Sequence, residues 1–239
     1  MCNSLTGFKL IFLAMGAGFL GILSHSSAPA TAQSNSSSLA LPSLQVHPLP
    51  PSLAQWSDRN QQGDYFSQVQ VTDVGYLVWS QFPVKVYIEP SIGSSTNSGQ
   101  SWMPAVLKAV REWQVYLPLT MTNNPQVADI TIQQANPRQL NNNGRVRSAE
   151  TRYQLYVNQQ GMLSHRCTVT IRSSQTAFYI SAAIRHELGH ALGIWGHSPL
   201  ETDALYFSQV RNPPFISARD INTLKRVYQQ PTRLGWPLP

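Results

Sequence analysis

Between Thr176 and Ile194 the apolar residues recur at helical spacing, and this stretch also carries His186-Glu187-Leu188-Gly189-His190. Residues i and i+4 of a helix lie one turn apart on the same face, so the two imidazoles project side by side. Glu187, one residue further on, is rotated around the helix and borders that pair. Gly193 stands where a glycine ends a helix in a left-handed conformation. The chain then turns back and makes His197 available from outside the helix.

Two imidazoles at this spacing can meet one metal ion, and three protein ligands with an open fourth position make a catalytic zinc site. His186, His190 and His197 are the candidate ligands. Glu187 is placed to take a proton from metal-bound water as general base, without being a ligand. The alternative is a helix whose histidines are ordinary polar groups. Three histidines and a glutamate between His186 and His197, on a helix closed by glycine, argue against it. Glu201 or Asp203 would complete the site if His197 did not.

The rest of the chain supplies strands around this helix. Val84, Val86 and Ile88 alternate with Lys85, Tyr87 and Glu89 until Pro90 stops the run. Ile92 to Gly99 reads as a loop, and Ser101-Trp102-Met103-Pro104 as a helix start, with Val106, Leu107, Val110 and Trp113 on its apolar face. Leu119–Thr122 and Ala128–Ile132 are short strands. Thr151–Val157 and Met162–Ile171 flank Asn158-Gln159-Gln160-Gly161, a hairpin with glycine at the turn. Ala218 to Tyr228 is an amphipathic helix. The expected class is α+β. Residues 136–147, rich in Asn and Arg, read only as a loop.

Residues 1–32 have the layout of a cleaved export signal. Lys9 precedes an apolar run from Leu10 to Leu23, and Ala30-Thr31-Ala32 gives an A-x-A site. The run is short against the ~20 residues of a membrane span, and no later segment is apolar enough to insert stably. A secreted, extracellular or periplasmic protein is expected. Cleavage would leave Cys167 as the one cysteine, buried in a strand, so no internal disulfide can form. The expected units are a signal at 1–32, a Ser/Pro-rich linker or strap at 33–78, a catalytic domain at 79–230 and a tail at 231–239. Charged residues make up only 12% of the chain and its net charge is +6. The basic residues are scattered and form no run interleaved with aromatics, which argues against nucleic acid as partner. A polypeptide substrate and a monomeric state are expected.

The stretch H-E-L-G-H-A-L-G-I-W-G-H-S, from His186 to Ser198, resembles the zinc-binding helix and turn of the metzincin clan, the matrixin family in particular. Phe82–Pro90 is similar to the matrixin first strand. Val106–Ile132 is similar to its first helix, second strand and Ala-Asp-Ile strand, and Ile216–Asn222 to the start of its carboxy-terminal helix. The resemblance implies a metzincin-like fold, a twisted mixed β-sheet with an active-site helix and a C-terminal helix, and a secreted zinc endopeptidase. Three departures stand out. The family's spacing would put the third ligand at Gly196, and His197 comes one residue later. Leu205 takes the place of the family's methionine beneath the metal, a hydrophobic floor of similar volume. The pro-segment cysteine has no counterpart between Cys2 and Cys167. The resemblance would also imply structural calcium and a second zinc, but from Ile130 to His186 the carboxylates and histidines other than His186 reduce to Glu150 and His165, so one Zn²⁺ is expected.

The implied reaction is peptide hydrolysis by a zinc-activated water, with Glu187 moving the proton to the leaving amine. The rival readings are a catalytically weak zinc-binding scaffold, which would not need Glu187, and a narrow processing or cell-wall peptidase. Substrate is expected to pair with an edge strand within Met162–Ile171. Trp102 and Trp113 read as helix-face core, Arg185 as a surface charge, Tyr206 as core or an oxyanion contact, and Asp203 as a group that could orient a ligand histidine.

Overall fold

The computed structural model describes residues 40–91, 97–135, 148–172 and 176–239. The expected signal at 1–32 and the loop at 136–147 lie outside the described residues. Helix α1 is Pro51–Gln55, strand β1 Val84–Ile88, helix α2 Asn97–Gln114, strand β2 Leu119–Met121, strand β3 Ile130–Gln134, strand β4 Ala149–Val157, strand β5 Leu163–Ile171, helix α3 Ala177–Ala191 and helix α4 Ala218–Tyr228. The strands form one mixed sheet in the order β2-β1-β3-β5-β4. All neighbours are parallel except β4, which runs antiparallel to β5.

The registers explain why one face of this sheet is apolar. Val86 pairs with Ile130 and Ile130 with Cys167, while Ile88, Ile132 and Val169 form the next row. Each of these side chains is buried. The intervening residues, Lys85, Thr131 and Thr168, fall on the opposite face, as the two-residue strand period demands. Helices α2 and α3 cover the apolar face. Cys167 is buried there, as the strand reading requires, and burial pushes its thiol pKa up.

The indole N–H groups tie the helices to the frame. Trp102 Nε1 donates to Glu89 O at the end of β1, and Trp113 Nε1 donates to Arg185 O within α3. Trp79 Nε1 donates to Ala191 O at the last turn of α3. Both α2 tryptophans are core residues, as their spacing indicates.

Three expectations change. Helix α2 begins at Asn97, not near Ser101, and Pro104 lies inside it. Trp102, buried and bonded to Glu89 O, anchors the turn before the proline. Arg185 is buried, not a surface charge. It is ion-paired with Glu112 of α2 and donates to Pro214 O at 2.8 Å. Strand β5 is internal, between β3 and β4. The edge beside α3 is therefore β4, and a partner strand cannot pair with Met162–Ile171.

Residues 40–80 pack against α4 and the far end of α3. Leu53, Tyr65, Val69, Val78 and Trp79 belong to the main core. Tyr65 N and Oη bond to Thr223 Oγ1 and Asp220 Oδ1 on α4. Gly196 makes a close approach possible here, because a Cβ at this position would stand 2.1 Å from Gln68 O.

His165 is buried in β5 and stacked on Trp79, ring centroids 3.9 Å apart. Burial pushes its pKa down to about 3 from 6.5. Below pH 6.5 the unfolded chain takes a proton that the folded chain refuses, so stability should fall with pH from about 6.5 toward 3, at up to ~1.4 kcal/mol per pH unit from this group. His165→Phe should remove that contribution. Urea unfolding at several pH values between 7 and 4 checks it, and equal slopes for both proteins would show that another group carries the acid sensitivity.

Candidate metal centre

Helix α3 is largely buried along its second half, where His186 lines a cleft and His190 is buried beside it. His186 and His190 stand one turn apart, with ring centroids 4.8 Å apart and planes 84° to each other. His186 Nδ1 lies 2.8 Å from Ala204 O, and His190 Nδ1 lies 2.6 Å from Ile194 O. A carbonyl only accepts, so each Nδ1 carries the proton. Each Nε2 is then left with its lone pair.

Those two Nε2 atoms are 3.2 Å apart. Two nitrogens at that distance can share a cation lying between them. Ligands at 2.0–2.1 Å in a tetrahedron sit ~3.3 Å from one another. A proton is a poor substitute at His190, whose pKa is held well below the usual imidazole value by burial, and then by His186 and His197. The donor set therefore fits a metal ion.

His197 joins the pair. Helix α3 ends at Ala191, and Gly193 takes a φ of 133°, a conformation that reverses the chain. Ser198 N then donates to Leu205 O at 2.8 Å, folding the segment back. The result brings ligand atoms of His186, His190 and His197 within 4.8 Å of one another, with His197 exposed, His186 half-buried and His190 buried. Among the described residues, this is the one such cluster of histidine, cysteine or carboxylate groups.

The turn beneath the cluster is built by α4. Asp220 closes a capping box with Ser217 and also accepts from Ala204 N at 2.9 Å, fixing the carbonyl that holds His186. Burial raises the Asp220 pKa, against the pull of the hydrogen bonds from Tyr65, Ser217 and Ala204. Leu205 is buried against Gly189, where a Cβ would lie 2.6 Å from Leu205 Cδ2. A side chain at position 189 would therefore require Leu205 to shift. Asp203 does not orient a ligand histidine through the contacts seen here. It is buried, accepts from Ser198 Oγ and pairs with Arg219 Nε at 3.0 Å. Backbone carbonyls take the orienting role at His186 and His190 instead.

Glu187 lines the cleft with His186 and His197. Thr151 Oγ1, on the edge strand β4, is 2.6 Å from Glu187 Oε2 and 3.0 Å from Glu187 O. The sequence offered no signal for Thr151, since the contact depends on β4 lying beside α3. A cavity of about 560 Å³ opens next to these groups, walled by Tyr206, Phe207 and Pro213 among others. Tyr206 belongs to this wall rather than to the core.

Neither a scan against protein-family models nor a search of curated proteins returns a match. The chemistry of the site accordingly stands on its own residues. Removal of one imidazole should be decisive. His197→Ala should weaken metal binding by at least ~10-fold, whereas Glu201→Ala, on an exposed residue outside the cluster, should leave it within about two-fold. Competition with a chromophoric chelator measures both, and equal affinities for the two variants would remove His197 from the ligand set.

Proposed function

We propose that this chain is a zinc-dependent endopeptidase of the matrixin-like kind, exported by its amino-terminal signal. The observation that carries this reading is the pairing of a convergent three-imidazole cluster with a cleft carboxylate, Glu187, that is not one of its members. A metal bound for structure alone has no use for that carboxylate. Its placement on the first turn beyond His186 suits proton transfer at the centre of the cleft. The mixed sheet, the antiparallel edge strand and the turn carrying Leu205 are compatible with a metzincin-like fold. Among the described residues no helix is long and apolar enough to cross a membrane.

His186, His190 and His197 would hold the zinc ion, which when bound supplies Lewis-acid polarisation of a carbonyl and acidifies a water. The substrate backbone would lie along the outer edge of β4, which borders the cleft through Ala149 and Thr151. Glu187 takes the proton of the attacking water and delivers it to the departing amine. The Thr151 hydroxyl holds one carboxylate oxygen, Oε2, and so fixes the rotamer of the base. Because Thr151 sits in β4, the strand that pairs with substrate also positions the base.

Purified protein should contain about one zinc per chain, and Glu187→Ala should keep that zinc while losing at least ~100-fold in peptide hydrolysis. Elemental analysis and a peptide-library digest, with and without a chelator, test both statements. Chelator-insensitive cleavage, or full turnover by the variant, would dismiss the reading. Thr151→Val should lower kcat by about ten-fold with little change in KM, because it frees the base without removing a substrate contact. Thr151→Ser should restore most of the rate. A rise in KM at constant kcat would mean that Thr151 serves substrate binding alone.

A further inference from the structure

A second cavity, of about 460 Å³, lies on the other side of α3 from the imidazole cluster. It adjoins the cleft, since Ala182 and Pro213 line both. Beyond it a shallower groove follows α2, with Pro104 and Lys108 shared between the two. A path therefore runs from Glu187 over α3 to the outer face of α2.

The chemistry along this path differs from that of an ordinary solvent face. Phe178 and Phe215, both lining the second cavity, are 58% and 69% exposed. Isolated exposed apolar residues are common, but two phenylalanines around one concavity mark an interaction surface. Phe215 is held in place from below. The Arg185 guanidinium lies 5.1 Å from its ring centroid and Lys108 Nζ lies 5.9 Å away. Arg185 itself is engaged by Glu112 and by Pro214 O. The ring is thus preorganised for a partner.

Ser181 gives an independent pointer to a ligand. It lines the same cavity from α3, is only 6% exposed, and its buried Oγ has no hydrogen-bond partner. A buried hydroxyl without a partner is unfavourable, and a small rotation of its side chain toward the cavity would let a peptide amide or carbonyl complete it. Lys108 and Arg111, exposed and one turn apart on α2, give the outer rim a positive charge.

We propose that this path is a second binding surface for the same polypeptide substrate. It takes an apolar side chain between Phe178 and Phe215, with acidic residues of the substrate against Lys108 and Arg111. Adjacency to the cleft and the basic rim select this occupant, since a chain leaving the cleft past Pro213 next meets the second cavity and then Lys108 and Arg111. The proposal rests on the endopeptidase reading for the identity of the bound chain. It predicts that the protein prefers long, unfolded acidic segments over short peptides.

The test uses Glu187→Ala protein, which binds without cleaving, and fluorescein-labelled peptides read by anisotropy. One peptide of about sixteen residues carries a single phenylalanine in an Asp-rich flank. A second has serine at that position, and a third is the central six residues alone. Phe178→Ser combined with Phe215→Ser should weaken the long peptide by about ten-fold, and Lys108→Glu by about three-fold. The serine peptide should be unaffected by the double phenylalanine change while still losing about three-fold with Lys108→Glu, and the six-residue peptide should be unaffected by either. Equal loss for all three peptides, or no loss for the long one, overturns the proposal. So does a double variant that keeps peptide affinity but loses self-association in sedimentation or binding to anionic vesicles, which would give the surface to a second copy or to a membrane. Hydrolysis of the same peptides by the unmutated chain is scored separately. Selective binding without any cleavage would fail the endopeptidase reading and leave the second surface standing.

Discussion

The Nδ1 atoms of His186 and His190 each face a backbone carbonyl, and this turns two Nε2 lone pairs toward each other 3.2 Å apart. That arrangement suits a shared cation, and the surrounding structure holds the two rings in it. Much of the fold contributes. Ala204 O is fixed because Asp220 accepts from Ala204 N, and Asp220 is fixed by its capping box and by Tyr65. Ile194 O is set by the end of α3 and the reversal at Gly193. The chain between residues 60 and 70 presses on the same turn through Gln68 and Gly196. The geometry of the centre is thereby set by elements from both ends of the chain.

The edge position of β4 has a similar reach. The antiparallel strand β4 stands at the rim of an otherwise parallel sheet, beside α3 among the described residues. The same strand places Thr151 against Glu187. In the proposed peptidase, substrate recognition and the geometry of the base are then two consequences of one strand. The brace at Arg185 adds a third element, because it ties α2, α3 and the Pro214 segment together behind the cleft wall. Both candidate substrate surfaces, the cleft and the path over α3, are shaped by that wall.

The framework was readable from the sequence because its signals are local. The alternation of Val84, Val86 and Ile88, the hairpin at Gly161, the helix around His186 and the amphipathic run from Ala218 follow from side-chain periods of two and 3.6 residues. The misreadings have a common cause. The start of α2, the burial of Arg185 and the internal place of β5 each depend on a partner far away in the chain. Trp102 reaches Glu89 O, Arg185 reaches Glu112, and β5 is flanked on both sides by strands that precede it.

By itself the sequence determined which residues could form a metal centre. A spacing of four on a helix puts His186 and His190 on one face whatever surrounds them, and a glycine at 193 permits the reversal that returns His197. Tertiary structure decided how those residues are held. The orienting groups at His186 and His190 are backbone carbonyls, which every residue possesses, so no side-chain identity marks them. Thr151 acquires its contact only when the sheet edge lies against α3, and Gly196 is needed only because Gln68 passes 2.1 Å from where its Cβ would be. Helical spacing is an intrinsic property of the chain. Contacts across the fold exist only once distant segments have packed, and the precision of the site resides in those contacts.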